Sequence, residues 1–194
     1  TEGNEITCMP YNSEAAIIST SILWGHYSDW WIFQDIEFYH FRGIALGNNT
    51  ATKTNNNTVF DNCTFHHNNT TGTNGVCIYW FNGDCLTVEN STFDNIRSRK
   101  AGADCSGILI GSTSGTGCSL DDFICRNNTF TDIGSDGIES QTEVGTNTYQ
   151  NWLIENNTFE ITRPYQYRDA YGTSYPTAPT YHQFNTDSYV FDAA

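Results

Sequence analysis

Short runs in which apolar and polar residues alternate recur along the chain. The clearest is Ile154-Glu-Asn-Asn-Thr-Phe159, with close relatives Phe60-Asp-Asn-Cys-Thr-Phe65, Val88-Glu-Asn-Ser-Thr-Phe93 and Cys125-Arg-Asn-Asn-Thr-Phe130. Phe33-Gln-Asp-Ile-Glu-Phe38 is a degraded copy. The phenylalanines fall at 38, 65, 93, 130 and 159, in steps of 27, 28, 37 and 29. A period of that size marks a solenoid in which one repeat makes one coil.

Aligning on the phenylalanine gives each column a physical meaning, because alternate residues of a strand face opposite sides. Seven and five residues earlier stand Trp31/Phe33, Thr58/Phe60, Leu86/Val88, Phe123/Cys125 and Trp152/Ile154, which this alternation points inward. Three earlier come Asp35, Asn62, Asn90, Asn127 and Asn156, expected to be an inward ladder of stacked amides. One earlier, Glu37, Thr64, Thr92, Thr129 and Thr158 face out as a largely β-branched row. A second strand precedes each phenylalanine strand and opens on glycine, at Gly43, Gly75, Gly107 and Gly137. Its spacing to the next phenylalanine, carried back from Phe38, starts the first coil at Ala15 to Ile18.

Three short strands per turn, a bend at the asparagine and variable loops elsewhere predict an all-β, right-handed parallel β-helix of about five coils. In this repeat the chain resembles the pectin-lyase-like superfamily over residues 15 to 162. Residues 1–14 form an N-terminal extension or cap. Residues 163–194 carry eight aromatic side chains among prolines, expected to cap the last coil or to contact another subunit. Insertions at 47–57, 97–106 and 112–121 are polar and read as surface loops.

The resemblance implies chemistry on acidic polysaccharide, by residues projecting outward from the glycine-led strands. Those positions are Arg42, Ala45 and Gly47; Asn74, Cys77 and Tyr79; Ser106, Leu109 and Gly111; and Asp136, Glu139 and Gln141. Acid and base catalysis needs two titratable groups at one bond, and only the last set supplies them. Asp132, Asp136, Glu139 and Glu143 offer hard oxygen ligands for Ca²⁺. Arg97, Arg99 and Lys100 would meet an acidic sugar, as the catalytic arginine of a lyase does. The pattern of polygalacturonases fails: Asn185-Thr186-Asp187 lies in the tail, Asp121-Asp122 precedes the wrong strand, and no Gly-His-Gly occurs.

His40 and His67 share a column one coil apart and are the alternative metal pair, with His66 placed to meet Asp94. Trp24, Trp30, Tyr79 and Trp80 are the stacking platforms a carbohydrate-binding module would use.

The formal charge of −14, from 22 acidic and 8 basic residues, argues against nucleic acid as a partner. No apolar run is long enough to span a bilayer. Seven cysteines and eight Asn-x-Ser/Thr sequons suggest a secreted, extracellular protein, and the start at Thr1 without a signal-like segment reads as a mature or trimmed product. Asn48, Asn56, Asn68 and Asn69, in loops or at strand ends, are the expected glycan acceptors. Asn62, Asn90, Asn127 and Asn156, expected to face inward, should be bare. Cys125 should be a buried thiol, and Cys85 with Cys118 the favoured disulfide, since each precedes the same strand in adjacent coils.

The outward column Ile32, Val59, Thr87, Ile124 and Leu153 places four aliphatic residues on a face that should be wet. Together with the incomplete catalytic set, it favours a structural or assembly protein without a cofactor. Such a protein would associate with itself or with another extracellular chain. A Ca²⁺-dependent polysaccharide lyase or a carbohydrate-binding module is the alternative.

Overall fold

The computed structural model describes residues 5–12, 14–19, 23–25, 29–47, 54–67, 69–70, 75–98, 105–112, 118–134, 136–142, 148–160 and 184–186. The described residues wind through six layers. The first holds β1 (Ile6–Cys8), β2 (Ala16–Ile18) and β3 (Leu23–Gly25), and the second β4 (Trp31–Gln34), β5 (Ile36–Tyr39) and β6 (Ile44–Leu46). The third holds β7 (Thr58–Asp61), β8 (Thr64–His66), β9 (Asn69–Thr70) and β10 (Ile78–Trp80). The fourth holds β11 (Leu86–Glu89), β12 (Thr92–Asp94), β13 (Arg97–Ser98) and β14 (Ile108–Ser112). The fifth holds β15 (Phe123–Arg126), β16 (Thr129–Thr131) and β17 (Ile138–Thr142), and the sixth β18 (Leu153–Glu155), β19 (Thr158–Glu160) and β20 (Phe184–Thr186).

Corresponding strands hydrogen-bond in parallel, giving sheet A (β1-β4-β7-β11-β15-β18), sheet B (β2-β5-β8-β12-β16-β19) and sheet C (β3-β6-β10-β14-β17-β20). A parallel β-helix is the result. Both flanks join it: β1 pairs with β4 and β20 with β17, so residues 184–186 lie at the end of the stack, not outside every coil. Ala16–Ile18 belongs to the phenylalanine sheet, with Ile18 opposite Phe38, while Leu23–Gly25 opens sheet C.

Phe38, Phe65, Phe93, Phe130 and Phe159 form the expected column, with consecutive ring centroids 4.7, 4.6, 4.7 and 4.9 Å apart and nearly parallel planes. Phe33 and Phe60 repeat this on sheet A at 4.9 Å. The rings are neighbours at coil spacing, and Phe38, Phe65, Phe93 and Phe130 are enclosed by the coils above and below. Gly107 shows why glycine opens a sheet C strand: a Cβ there would sit 2.7 Å from the Gly137 carbonyl oxygen and 2.8 Å from the Phe130 ring.

Coils bend at corners whose residues have left-handed backbone, with φ from 51° to 66°. Trp30, Asn57, Cys85, Asp122 and Asn151 precede sheet A; Asp35, Asn62, Asn90, Asn127 and Asn156 separate sheets A and B; His40, His67, Asn95 and Asp132 follow sheet B. Asn and Asp predominate because they are the residues, glycine aside, that enter this region at least cost.

This geometry overturns the expected inward ladder. Asn62, Asn90, Asn127 and Asn156 are exposed, because the left-handed corner turns the next residue into the core instead. The outer amides each donate back to the preceding coil, Asn62 Nδ2 to Asp35 Oδ1 at 2.5 Å, Asn90 Nδ2 to Asp61 Oδ1 at 2.8 Å and Asn127 Nδ2 to Asn90 Oδ1 at 3.5 Å. The inward polar ladder is Cys63, Ser91, Asn128 and Asn157. Cys63 N donates to Ser91 Oγ at 3.0 Å, Ser91 N to Asn128 Oδ1 at 2.9 Å and Asn128 N to Asn157 Oδ1 at 3.0 Å. Asn128 Nδ2 donates to the Val88 carbonyl and Asn157 Nδ2 to that of Cys125, each at 2.8 Å.

Cys125 is the expected buried thiol; burial pushes it, like Cys63, up to about 12. The expected Cys85 to Cys118 bridge is absent, and the structure joins none of the seven cysteines in a disulfide. Cys85 faces Asp122 Oδ2 at 3.7 Å, whereas the neighbour of Cys118, Ser119, is held against Asn82. Cys85 N donates to the Asp121 carbonyl, three residues beyond Cys118, so the two cysteines are out of register across the coils.

Two outcomes follow. Asn128→Ala, which strands buried backbone groups, should cost about 1–3 kcal/mol, while Asn127→Gly, at an exposed left-handed corner, should cost at most a few tenths; urea unfolding of the two variants measures both. The unfolded chain releases a thiol proton near 9.0 and the folded one near 12, so native Cys125 holds more protons in between and stability falls as pH rises through that window. The stability gap between wild type and Cys125→Ala should therefore narrow from pH 9.0 to about 12 in urea titrations, and a constant gap would contradict it.

Candidate functional site

The outward residues of sheet C are brought into one row, Ala45, Tyr79, Leu109 and Glu139. Ala45, Leu109 and Glu139 are nevertheless 3–4% exposed, as buried as the core. Cys77, Ser106 and Asp136, just ahead of the strands, are buried as well, and Arg42 alone of the first set is exposed. Among the described positions of the face expected to be an open groove, only Arg42 and Tyr79 keep appreciable exposure. On this face Ser106 Oγ donates to Glu139 Oε2 at 2.5 Å. The Tyr79 ring lies over Gly43, where a Cβ would approach it to 3.2 Å.

Of the carboxylates proposed for Ca²⁺, Asp132 closes sheet B at a left-handed corner, Asp136 precedes β17 and Glu139 lies within it, all three buried; Glu143 is outside the described residues. Among the described residues no three His, Cys, Asp or Glu side chains are arranged to hold a metal ion. The backbone of Arg97 pairs with Asn69 in the small β9–β13 sheet, and Arg99 and Lys100 lie outside the described residues. Asn48 and Asn68 lie there too, and Asn69 is described in its backbone alone.

On sheet B the histidines do come together, but with a different partner. His66 Nε2 lies 2.7 Å from Glu37 Oε1 and His66 Nδ1 lies 2.9 Å from His67 Nδ1, although Asp94 stands opposite His66 in the ladder. In the tautomer that donates Nε2–H to the carboxylate, His66 accepts from His67 through Nδ1. Glu37 and His67 thus hold opposite edges of one ring and do not converge on a common ion. The His40 and His67 rings are 5.9 Å apart, each against Tyr39.

Of the aromatic platforms, Trp80 is buried in the core against Phe123, while Trp30 is 37% exposed at a corner. Tyr79 stacks on Phe81 at 5.5 Å, so the two rings occupy each other's faces.

An acidic corner passed unnoticed in the sequence. Ser119 Oγ lies 2.9 Å from both Asp84 Oδ1 and Asp121 Oδ2. Alongside it, Asn56 Nδ2 donates to Asp29 Oδ1 at 3.0 Å and Asn56 Oδ1 accepts from Asp84 N at 2.9 Å. These residues are scattered across loops of unequal length, so no fixed spacing announces them.

The outer face of sheet A is as expected. Ile32, Val59, Thr87, Ile124 and Leu153 are in register across five coils, partly exposed and ending in Leu153 at 43%. Beside them run Gln34, Asp61, Glu89, Arg126 and Glu155, with Arg126 clamped to Glu89 Oε2 at 2.7 Å.

Three parallel sheets wound around one aromatic core, with a left-handed residue at each described corner, define a solenoid of the parallel β-helix class. The chain belongs to the right-handed β-helix family, whose model for a right handed beta helix region matches residues 11–173. No curated protein and no solved structure matches it significantly. Among the described residues no helix is long and apolar enough to cross a membrane.

Proposed function

We propose that the protein is an extracellular structural β-helix that associates with copies of itself or with another extracellular chain, and that it does not turn over a sugar. The observation that carries this reading is the in-register apolar row on the outer face of sheet A, Ile32, Val59, Ile124 and Leu153. A flat, regular strand surface of this kind presents a ready plane for a partner. Each aliphatic side chain taken fully out of water contributes about 1.5–3 kcal/mol before ordering costs are subtracted.

Supporting it from the other side, Ala45, Cys77, Ser106, Leu109, Asp136 and Glu139, on the strand face where the resemblance to polysaccharide-active relatives would place catalysis, are buried. Its carboxylate Glu139 is engaged by Ser106, and a polymer needs an accessible acid and base. The abundance of Asn, Ser, Thr and Gly and the net charge of −14 suit a solvated extracellular surface.

Ile124→Asp combined with Leu153→Asp should leave the fold intact, since both side chains point outward, and weaken association at least tenfold in sedimentation velocity. A double variant that sediments like the parent would remove the apolar row as the contact. An unsaturated product released from acidic polysaccharide, and lost in Arg97→Ala or Arg99→Ala, would put the lyase reading in its place.

A further inference from the structure

The corner between sheets A and B carries a regularity that the fold does not use up. In four successive coils the left-handed residue is the asparagine of an Asn-x-Thr sequon: Asn62-Cys-Thr64, Asn90-Ser-Thr92, Asn127-Asn-Thr129 and Asn156-Asn-Thr158. Each asparagine is exposed, the middle residue turns inward, and the threonine returns to the outer row of sheet B. The corner generates the tripeptide: a residue that tolerates positive φ, a small or polar residue for the inward ladder, then a β-branched residue for the strand.

An oligosaccharide-transferring enzyme reads the tripeptide and its accessibility, whatever produced them. We propose that this corner column is a glycan-bearing edge of the molecule, with Asn156 its least obstructed acceptor. This rests on the extracellular reading, which supplies passage through a compartment holding the donor, an oligosaccharide on a lipid pyrophosphate. In the transfer Asn156 Nδ2 forms a bond to the sugar C1, the C1–O bond to pyrophosphate breaks, the amide loses one proton and the lipid pyrophosphate leaves.

The ranking within the column follows from what each amide already does. Asn62 and Asn90 donate to the carboxylates of Asp35 and Asp61, and Asn127 reaches toward Asn90. Among the described residues Asn156 stands in the last coil of sheets A and B, where a sugar meets one neighbouring described corner instead of two. A substituted amide keeps one N–H, so a glycan here leaves the backbone corner untouched. Asn56 is the opposite case: half-buried, with both its oxygen and its nitrogen committed to Asp84 and Asp29.

The test is peptide mapping of the full chain, secreted behind a leader from a eukaryotic host and folded by circular dichroism. A glycan-releasing amidase in heavy-oxygen water converts each occupied asparagine to labelled aspartate. Conversion at Asn156 and none at Asn56 is expected. Thr158→Val, which keeps a β-branched side chain in the outer row, should lose one glycan and melt like the parent. Unmodified Asn156 in folded protein that has passed through the lumen overturns the proposal, whatever Asn56 carries. Folded chain glycosylated at Asn156 yet retained inside the cell would sink the extracellular reading and leave the site standing.

Discussion

Every coil depends on a backbone constraint at its corners. Turning a strand sharply into the next sheet requires φ near +55°, as at Asn62, Asn90, Asn127 and Asn156, and most side chains resist that region. Asparagine and aspartate reach it at low cost, and the gain is made across coils: the corner amides of Asp35, Asn62, Asn90 and Asn127 donate to carbonyls of Asp61, Glu89, Arg126 and Glu155 at 3.1–3.2 Å. The corner is therefore hydrogen-bonded to its counterpart in the next layer, and the stack has one register.

From that corner the interior follows. The residue after it must face inward close to the bend, where backbone groups would otherwise lie buried without partners. Cys63, Ser91, Asn128 and Asn157 meet this demand with side chains small enough for the corner and polar enough to bond the preceding coil. The phenylalanine two residues later then lands in the same place in each coil, and the rings stack at 4.6–4.9 Å. Outside, the same phase sets an apolar row, a charged row and an amide row side by side along the stack.

Much of this was legible in the sequence, because a five-fold repeat of one hexapeptide states both the coil length and the core column. The phase of the asparagine was not, yet the letters held a signal for it. Phe60 and Phe65 both face inward although they stand an odd five positions apart, so strict alternation must break once between them. The break is the left-handed Asn62, and carrying alternation through it put the amide row on the wrong side. The candidate site was harder for a different reason. Ala45, Cys77 and Leu109 are apolar letters on a face that the resemblance made catalytic, and their burial is decided by coverage that no repeat encodes. The Glu37–His66–His67 chain and the Ser119 corner depend on rotamers and on loops of unequal length, which spacing cannot reveal.

The corner geometry is tested most directly by hydrogen exchange of two adjacent side-chain amides, those of Asn127 and Asn128, followed by NMR in heavy water. Asn128 Nδ2, buried and bonded to the Val88 carbonyl, should keep its protons orders of magnitude longer than exposed Asn127 Nδ2. Protection of Asn127 with rapid loss from Asn128 would mean that the strands run through the corner in unbroken alternation, and the phase of all six coils would have to be reassigned.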